Sequence, residues 1–366
     1  MIDSAAPSSR RGRRGHPLAV AALPPALAVS LLCLVLVALA DALIRHESHP
    51  TGDEPFYLGM AAHPGAPHAF PYAYRIAVPW LVHVMPFSHV VSFTILAWLA
   101  TAAAGGVLYT LLGEFQVGPR LALGLSVGFV LSPTLLVVLP RHGQSIDPET
   151  ALVMVLGTLF IVRRQRVALT LTVLIGMAVK ETSVFLLPFA YAVWAERPLD
   201  RRALRDVLLV AVLPVAGYAV LRASVSAVGS QYVSGYTGSF LHVRLEVLRR
   251  ALSTRQLRRL AYTYGPLWVV APFALRDLRF ARRGLVLVGL CLLAMTVSFD
   301  SPRIMFLAAP VFYVSAGWVL RNRPRLALLT VVALLAVDLG YGVYLQVHGV
   351  AHGLDTTVNH QISTAP

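Results

Sequence analysis

Lysine is almost missing from this chain. Lys180 is the only lysine among 31 basic residues in 366, and the others are arginines. A compact ammonium group is therefore available at one position only. Cysteine is nearly as scarce. Cys33 and Cys291 both fall inside apolar runs, which excludes a disulfide framework and offers no metal-site spacing. There is no fixed-period repeat, no glycine-rich phosphate loop and no polar stretch long enough for a sizeable soluble domain, so solenoid and P-loop readings fall away. Charge is sparse overall, at 13% of residues against 57% hydrophobic. With a mean hydropathy of +0.69, this is not the composition of an ordinary soluble domain.

What is present is a succession of apolar runs. They cover Leu18 to Ile44, Ser88 to Gly113, Leu121 to Leu139, Glu149 to Val162, Val167 to Val179, Ser183 to Trp194, Val207 to Ala223, Tyr264 to Leu275, Gly284 to Phe299, Ile304 to Leu320 and Leu326 to Gln346. Many approach the ~20 residues a helix needs to cross a bilayer, and several are shorter. Lipid leaves helices as the only spanning elements for such runs, because every backbone polar group must be satisfied internally. The expected fold is all-α, a polytopic transmembrane helical bundle of about eleven spans. The first run far exceeds the ~7–15 residues of a signal-peptide apolar region, so it reads as an anchor although Ala38-Leu39-Ala40 resembles a cleavage site. Residues 1–17 read as a disordered basic tail, 18–346 as one membrane domain with outer loops at 45–87 and 224–263, and 347–366 as a mobile tail.

Arginine placement sets the orientation, since basic residues collect in short cytoplasmic loops. Arg10, Arg11, Arg13 and Arg14 put the N terminus in the cytoplasm. The other inner loops then hold Arg120; Arg163, Arg164 and Arg166; Arg197, Arg201, Arg202 and Arg205; Arg276, Arg279, Arg282 and Arg283; and Arg321, Arg323 and Arg325. The outer loop 224–263 breaks the rule with Arg244, Arg249, Arg250, Arg255, Arg258 and Arg259. Long loops escape that rule, and its Arg-rich stretch suits an amphipathic helix lying on the membrane. The net charge of +14 reflects topology and attraction to anionic headgroups rather than nucleic-acid binding.

Ionisable groups are costly in a membrane and usually functional, and five places stand out. Asp53 and Glu54 follow the first run in Thr51-Gly52-Asp53-Glu54-Pro55-Phe56-Tyr57, where they either act in chemistry or solvate a loop and cap a short helix. Arg75 sits among aromatics in Pro71-Tyr72-Ala73-Tyr74-Arg75, ahead of Pro79-Trp80-Leu81, a pattern for an interfacial helix whose arginine snorkels or binds an anion. Arg141-His142-Gly143-Gln144-Ser145-Ile146-Asp147 is a dense polar loop. Its His142 and Asp147 match the H-x4-D spacing of glycerolipid acyltransferases only as a short coincidence. Asp147 either caps the following helix or shares an outer cavity with Asp53. Lys180-Glu181-Thr182 separates two short runs, with an internal ion pair to Glu181 or another carboxylate as the plain alternative. Asp300-Ser301-Pro302-Arg303 closes the set. All five fall on the outer side of a single topology, and such a group of carboxylates and cations suits removing a proton from a nucleophile while phosphate leaves.

The order of these features resembles the GT-C superfamily of integral membrane glycosyltransferases, especially bacterial relatives of protein mannosyltransferases and lipid A aminoarabinose transferases. The resemblance rests on Gly52-Asp53-Glu54-Pro55-Phe56-Tyr57, Tyr74-Arg75 ahead of Pro79-Trp80-Leu81, Asp147-Pro148, Lys180-Glu181-Thr182 ahead of Leu186-Leu187-Pro188, and Pro302-Arg303 ahead of Pro310. It implies a lipid-linked sugar donor carried on polyprenyl phosphate, an inverting single displacement, and a site on the outer face of the cytoplasmic membrane. Asp53 takes the part of catalytic base, with Glu54 and Asp147 as further catalytic carboxylates. Arg75, Lys180 and Arg303 bind the donor phosphate, and Tyr57, Tyr74, His142 and Glu181 support them. Adjacent acids in place of a spaced D-x-D do not imply a metal, although a divalent ion, Mg or Mn, shared by Asp53 and Asp147 stays open. The acceptor is unread, and no large soluble C-terminal domain is there to engage it. The competing class is a transporter or flippase for an anionic or lipid-linked substrate, to which Asp338, deep in the last run, lends its one intramembrane acid.

Overall fold

The structure, a computed structural model, describes residues 18–44, 53–136, 145–230, 249, 253–296 and 301–348. Helices dominate these residues. They are α1 (Leu18–Leu43), α2 (Glu54–Ala62), α3 (Ala77–Val84), α4 (His89–Glu114), α5 (Pro119–Val130), α6 (Pro133–Leu136), α7 (Asp147–Arg163), α8 (Arg166–Val179), α9 (Leu186–Trp194), α10 (Arg201–Ser224), α11 (Thr254–Tyr264), α12 (Leu267–Val270), α13 (Arg279–Met295), α14 (Ser301–Met305), α15 (Ala309–Leu320) and α16 (Pro324–His348). Their starts carry expected signals. The Ser88 hydroxyl caps α4 through Val91 N–H, Asp200 caps α10 through the N–H groups of Arg202 and Ala203, and proline opens α5 where its missing N–H is harmless.

Among the described residues six segments are long and apolar enough to cross a membrane: Pro25–Leu43, His89–Glu114, Pro119–Leu136, Arg201–Ser224, Ser301–Leu320 and Pro324–Val347. The remaining expected runs are helical but shorter. The run expected from Tyr264 to Leu275 divides into the end of α11, the single turn α12 and a 3-10 turn, Ala271–Leu275. Leu208, Leu209, Val212 and Leu213 on α10 and Leu328, Leu329 and Val332 on α16 are exposed, an apolar exterior that water would not tolerate on this scale and lipid does. Ser301–Leu320 is by contrast the most enclosed of the six, so the segment carrying Arg303 runs through the core of the bundle.

Small residues bring the helices together. A Cβ on Gly106 of α4 would meet Ser30 Oγ at 2.0 Å and the Ala26 carbonyl oxygen of α1 at 2.7 Å, so only glycine allows this crossing. Among the described residues the one departure from helices and turns is a pair of short parallel strands, β1 (His68–Phe70) and β2 (Ala227–Ser230). They join the loops 45–87 and 224–263, which the hydropathy pattern treats as unrelated. The Arg-rich stretch of the loop 224–263 does contain an amphipathic helix, α11. It buries Gln256, Thr263 and Tyr264 while Leu257 and Tyr262 are exposed. The Tyr264 hydroxyl donates to the Met305 carbonyl at 2.6 Å, fixing α11 against α14.

Candidate functional site

Asp53 occupies the N-cap position of α2, where a short acid ordinarily accepts a bond from the first turn. Its side chain makes no such cap and so forgoes about 1 kcal/mol of helix stabilisation. The carboxylate turns outward from the helix. Oδ1 accepts from the Tyr72 hydroxyl at 2.7 Å, and Oδ2 accepts from both terminal nitrogens of Arg303 at 3.2 Å. Capping is therefore not what holds this residue.

Arg303 continues the chain of contacts. Its Nε donates to Asp147 Oδ2, and its Nη2 lies 3.5 Å from Ser145 Oγ. Asp147 also accepts from the Ser145 hydroxyl at 3.1 Å and, through Oδ1, from Lys180 Nζ at 2.9 Å. Asp147 begins α7 while Ile146 holds the cap position, so its charge adds to the helix dipole without capping it. It meets Asp53 through the shared Arg303 guanidinium.

The other half of the cluster is built on Arg75, which ends the 3-10 turn Tyr72–Tyr74. Its guanidinium grips Glu181 by two bonds, Nε to Oε2 at 2.9 Å and Nη2 to Oε1 at 2.5 Å, and donates from Nη1 to the Tyr57 hydroxyl at 3.0 Å. Arg75 is buried, so the snorkelling alternative fails for it. The two halves meet through aromatic rings. Tyr72 lies edge-on to Tyr57 at 5.5 Å, stacks on Phe56 at 4.5 Å and carries the Arg75 guanidinium over its face at 5.4 Å.

Lys180 and Glu181, adjacent in sequence, serve opposite halves. Lys180 is extended (φ −156°, ψ 129°) and Glu181 opens a 3-10 turn, so the two side chains diverge. Of the two partners open to Lys180, Glu181 or another carboxylate, it pairs with the other carboxylate, Asp147, and Glu181 pairs with Arg75.

Burial and charge oppose one another at each acid. Burial alone would raise Asp53, but Arg303, the Tyr72 hydroxyl and Arg75 outweigh it and hold the carboxyl below its ordinary range. Burial would likewise raise Asp147, and Arg303 and Lys180 drive it far below. Glu181 is lowered against burial chiefly by Arg75. All three are carboxylates at neutral pH. They differ in access: the Glu181 side chain is 37% exposed, that of Asp53 24% and that of Asp147 9%.

Other expected residues fall elsewhere. Glu54 is buried at the start of α2. Tyr74 is buried but faces Arg222, whose guanidinium lies 3.9 Å from its ring centre, and Tyr218 at 6.5 Å. It belongs to the flank of the site rather than to the charge network. His142 lies outside the described residues. Tyr72 and Ser145 are functional contacts that sequence reasoning did not single out. Tyr72 carried one signal, its place in an aromatic triplet leading to a buried arginine. A divalent ion shared by Asp53 and Asp147 does not fit, because the Arg303 guanidinium already fills the space between the two carboxylates. Among the described residues no three potential ligands converge.

Beside the cluster an apolar cleft of about 130 Å³ lies between α8 and α10, lined by Ile76, Leu174, Met177, Ala178, Gly217, Tyr218 and Leu221. Ile76 follows Arg75 directly, and Ala178 precedes Lys180 by two positions. No family model matches this chain, and no curated protein is similar to it in sequence.

Proposed function

We propose that this protein is an inverting membrane glycosyltransferase of GT-C type, moving a sugar from a polyprenyl-phosphate donor to an acceptor hydroxyl at the outer face of the cytoplasmic membrane. The proposal includes about eleven spans with a cytoplasmic N terminus. One observation carries it: Asp53, Asp147, Lys180 and Arg303, drawn from four separate stretches of sequence, join in one network of bonds, and Arg75 with Glu181 and Tyr57 lies against it through the Tyr72 ring. A merely structural account gives these four ion pairs no reason to gather in one place.

Asp53 is the base in this reading, being the more accessible of the two aspartates. Its carboxylate accepts the acceptor's hydroxyl proton while that oxygen bonds to the anomeric carbon. The bond from that carbon to the phosphate oxygen breaks, both electrons leave with polyprenyl phosphate, and configuration inverts. Arg303, Lys180 and Arg75 stabilise the charge that grows on the leaving phosphate, in a site where low polarity strengthens each contact. The apolar cleft beside Arg75 suits the first isoprene units of the donor, which accounts for a reaction centre carried inside a helical bundle.

The test is sugar transfer from a panel of synthetic polyprenyl-phosphate sugars by protein in lipid nanodiscs. Wild type releases polyprenyl phosphate, and Asp53→Asn loses about 10²–10⁴ of the rate while staying folded. Near-normal turnover in Asp53→Asn moves the base to Glu54 or Asp147. No release from any donor removes the enzyme reading and favours a transporter or flippase. That second reading draws on Asp338, which is fully buried in α16 with neither carboxyl oxygen hydrogen-bonded among the described residues.

A further inference from the structure

The two aspartates are held differently, and the difference separates their parts. Asp147 accepts from Ser145, Lys180 and Arg303 Nε and is nearly closed to solvent. Asp53 has a single hydrogen-bonding cation among the described residues. That cation is Arg303, whose two terminal nitrogens both reach Oδ2 at 3.2 Å, the longest ion-pair contact in the cluster. Arg303 thus grips Asp147 through Nε and only leans on Asp53 with its Nη1–Nη2 edge. A two-nitrogen guanidinium edge is the shape that binds two phosphate oxygens at once.

Resting on the donor reading above, we propose that Arg303 is a hand-over group: the phosphodiester of the arriving donor takes its Nη1–Nη2 edge away from Asp53 while Nε stays on Asp147. The base is thereby uncovered only when the donor is in place. The described cluster balances three cations, Arg75, Lys180 and Arg303, against three carboxylates, Asp53, Asp147 and Glu181. An arriving phosphate takes over the cation contact that is held least, while Lys180 and Arg75 add their charge without leaving their own partners. Asp147 keeps Lys180 through the exchange, and Glu181 keeps both its bonds to Arg75. Asp53, held by the longest ion-pair contact of the cluster and by one cation, gives way. The Tyr72 hydroxyl on Oδ1 then keeps the carboxylate aimed as Arg303 leaves. Of the charges facing Asp53, Arg75 still favours the carboxylate and Asp147 opposes it, so loss of the Arg303 contact increases its affinity for a proton.

The experiment uses farnesyl methyl phosphate, a phosphodiester monoanion that does not itself titrate in the working range. It is added to the full chain in nanodiscs, with calorimetry in two buffers of different ionisation enthalpy at about pH 5. Wild type is expected to bind with net proton uptake, a readout that needs no variant. Asp53→Asn is expected to bind roughly fivefold or more tightly, without uptake, because no carboxylate competes for Arg303. Binding without proton uptake, or uptake that persists in Asp53→Asn, overturns the hand-over and leaves the donor reading standing. Absence of binding by wild type overturns both.

Discussion

Replacing Asp147 by asparagine preserves the shape of the side chain and deletes its charge, and the surroundings give that change a definite cost. The carboxylate lies between Lys180 Nζ at 2.9 Å and the Arg303 guanidinium, with 9% of its side chain exposed. Without it two enclosed cations face one another, and the new amide turns a donor toward one of them. Exposed ion pairs contribute under about 1 kcal/mol, whereas stranding a buried charge costs about 3–5 kcal/mol. Asp147→Asn is therefore expected to lose about 3–4 kcal/mol in equilibrium unfolding in mixed micelles. Asp53→Asn should lose about 1 kcal/mol or less, because its side chain is 24% exposed and shares Arg303 with Asp147. Adding Lys180→Met to Asp147→Asn removes one stranded cation and should restore at least about 1 kcal/mol, a coupling read directly from the double-mutant cycle. A loss below about 1 kcal/mol for Asp147→Asn, or no restoration in the double variant, refutes the view that Asp147 is the fixed counter-charge of the cluster.

Tyr72→Phe removes the hydroxyl that helps hold Asp53 as a carboxylate, so Asp53 protonates more readily. The acid limb of kcat/KM against pH should move to higher pH and the plateau should fall about three- to tenfold; an unmoved limb counts against Asp53 as base. Lys180→Arg puts a wide planar fork where one ammonium meets Asp147 Oδ1 in an enclosed space. Transfer should drop about tenfold or more with the protein still folded, and unchanged kinetics would show that any cation serves. Gly106→Ala drives a methyl against the Ala26 carbonyl of α1. Because backbone yields poorly, the expected loss is about 1–3 kcal/mol in the same unfolding assay, with activity at low temperature retained.

Residue type made the participants legible, while their pairing depended on local backbone that no spacing reveals. Asp53, Arg75, Asp147, Lys180 and Arg303 are conspicuous because charge is rare in apolar surroundings. Lys180 and Glu181 look like natural partners in sequence, yet an extended residue followed by a 3-10 turn sends them apart. Capping is the plain alternative to chemistry for Asp53 because acids precede so many helices, and only its turned side chain excludes it. Tyr72 was passed over for its neighbour Tyr74, since nothing in a Tyr-Ala-Tyr triplet distinguishes the ring that stacks on Phe56 from the one beneath Arg222. Apolar runs located the long helices well. They could not register that β1 and β2 pair, because three- and four-residue strands leave no usable alternation.

That strand pair ties one wall of the apolar cleft to the segment that carries Arg75. β2 follows directly on α10, one wall of the apolar cleft, and β1 leads within a few residues to Arg75. Arg222, near the C-terminal end of α10, reinforces the tie by lying over Phe70 and Tyr74 at 5.6 and 3.9 Å. The cleft therefore has a buckle at one end. On the proposed donor reading, widening the cleft for a thicker tail would strain the same strand pairing and cation–aromatic stack that lie beside Arg75, so tail girth and phosphate grip would be gauged by a single fastening.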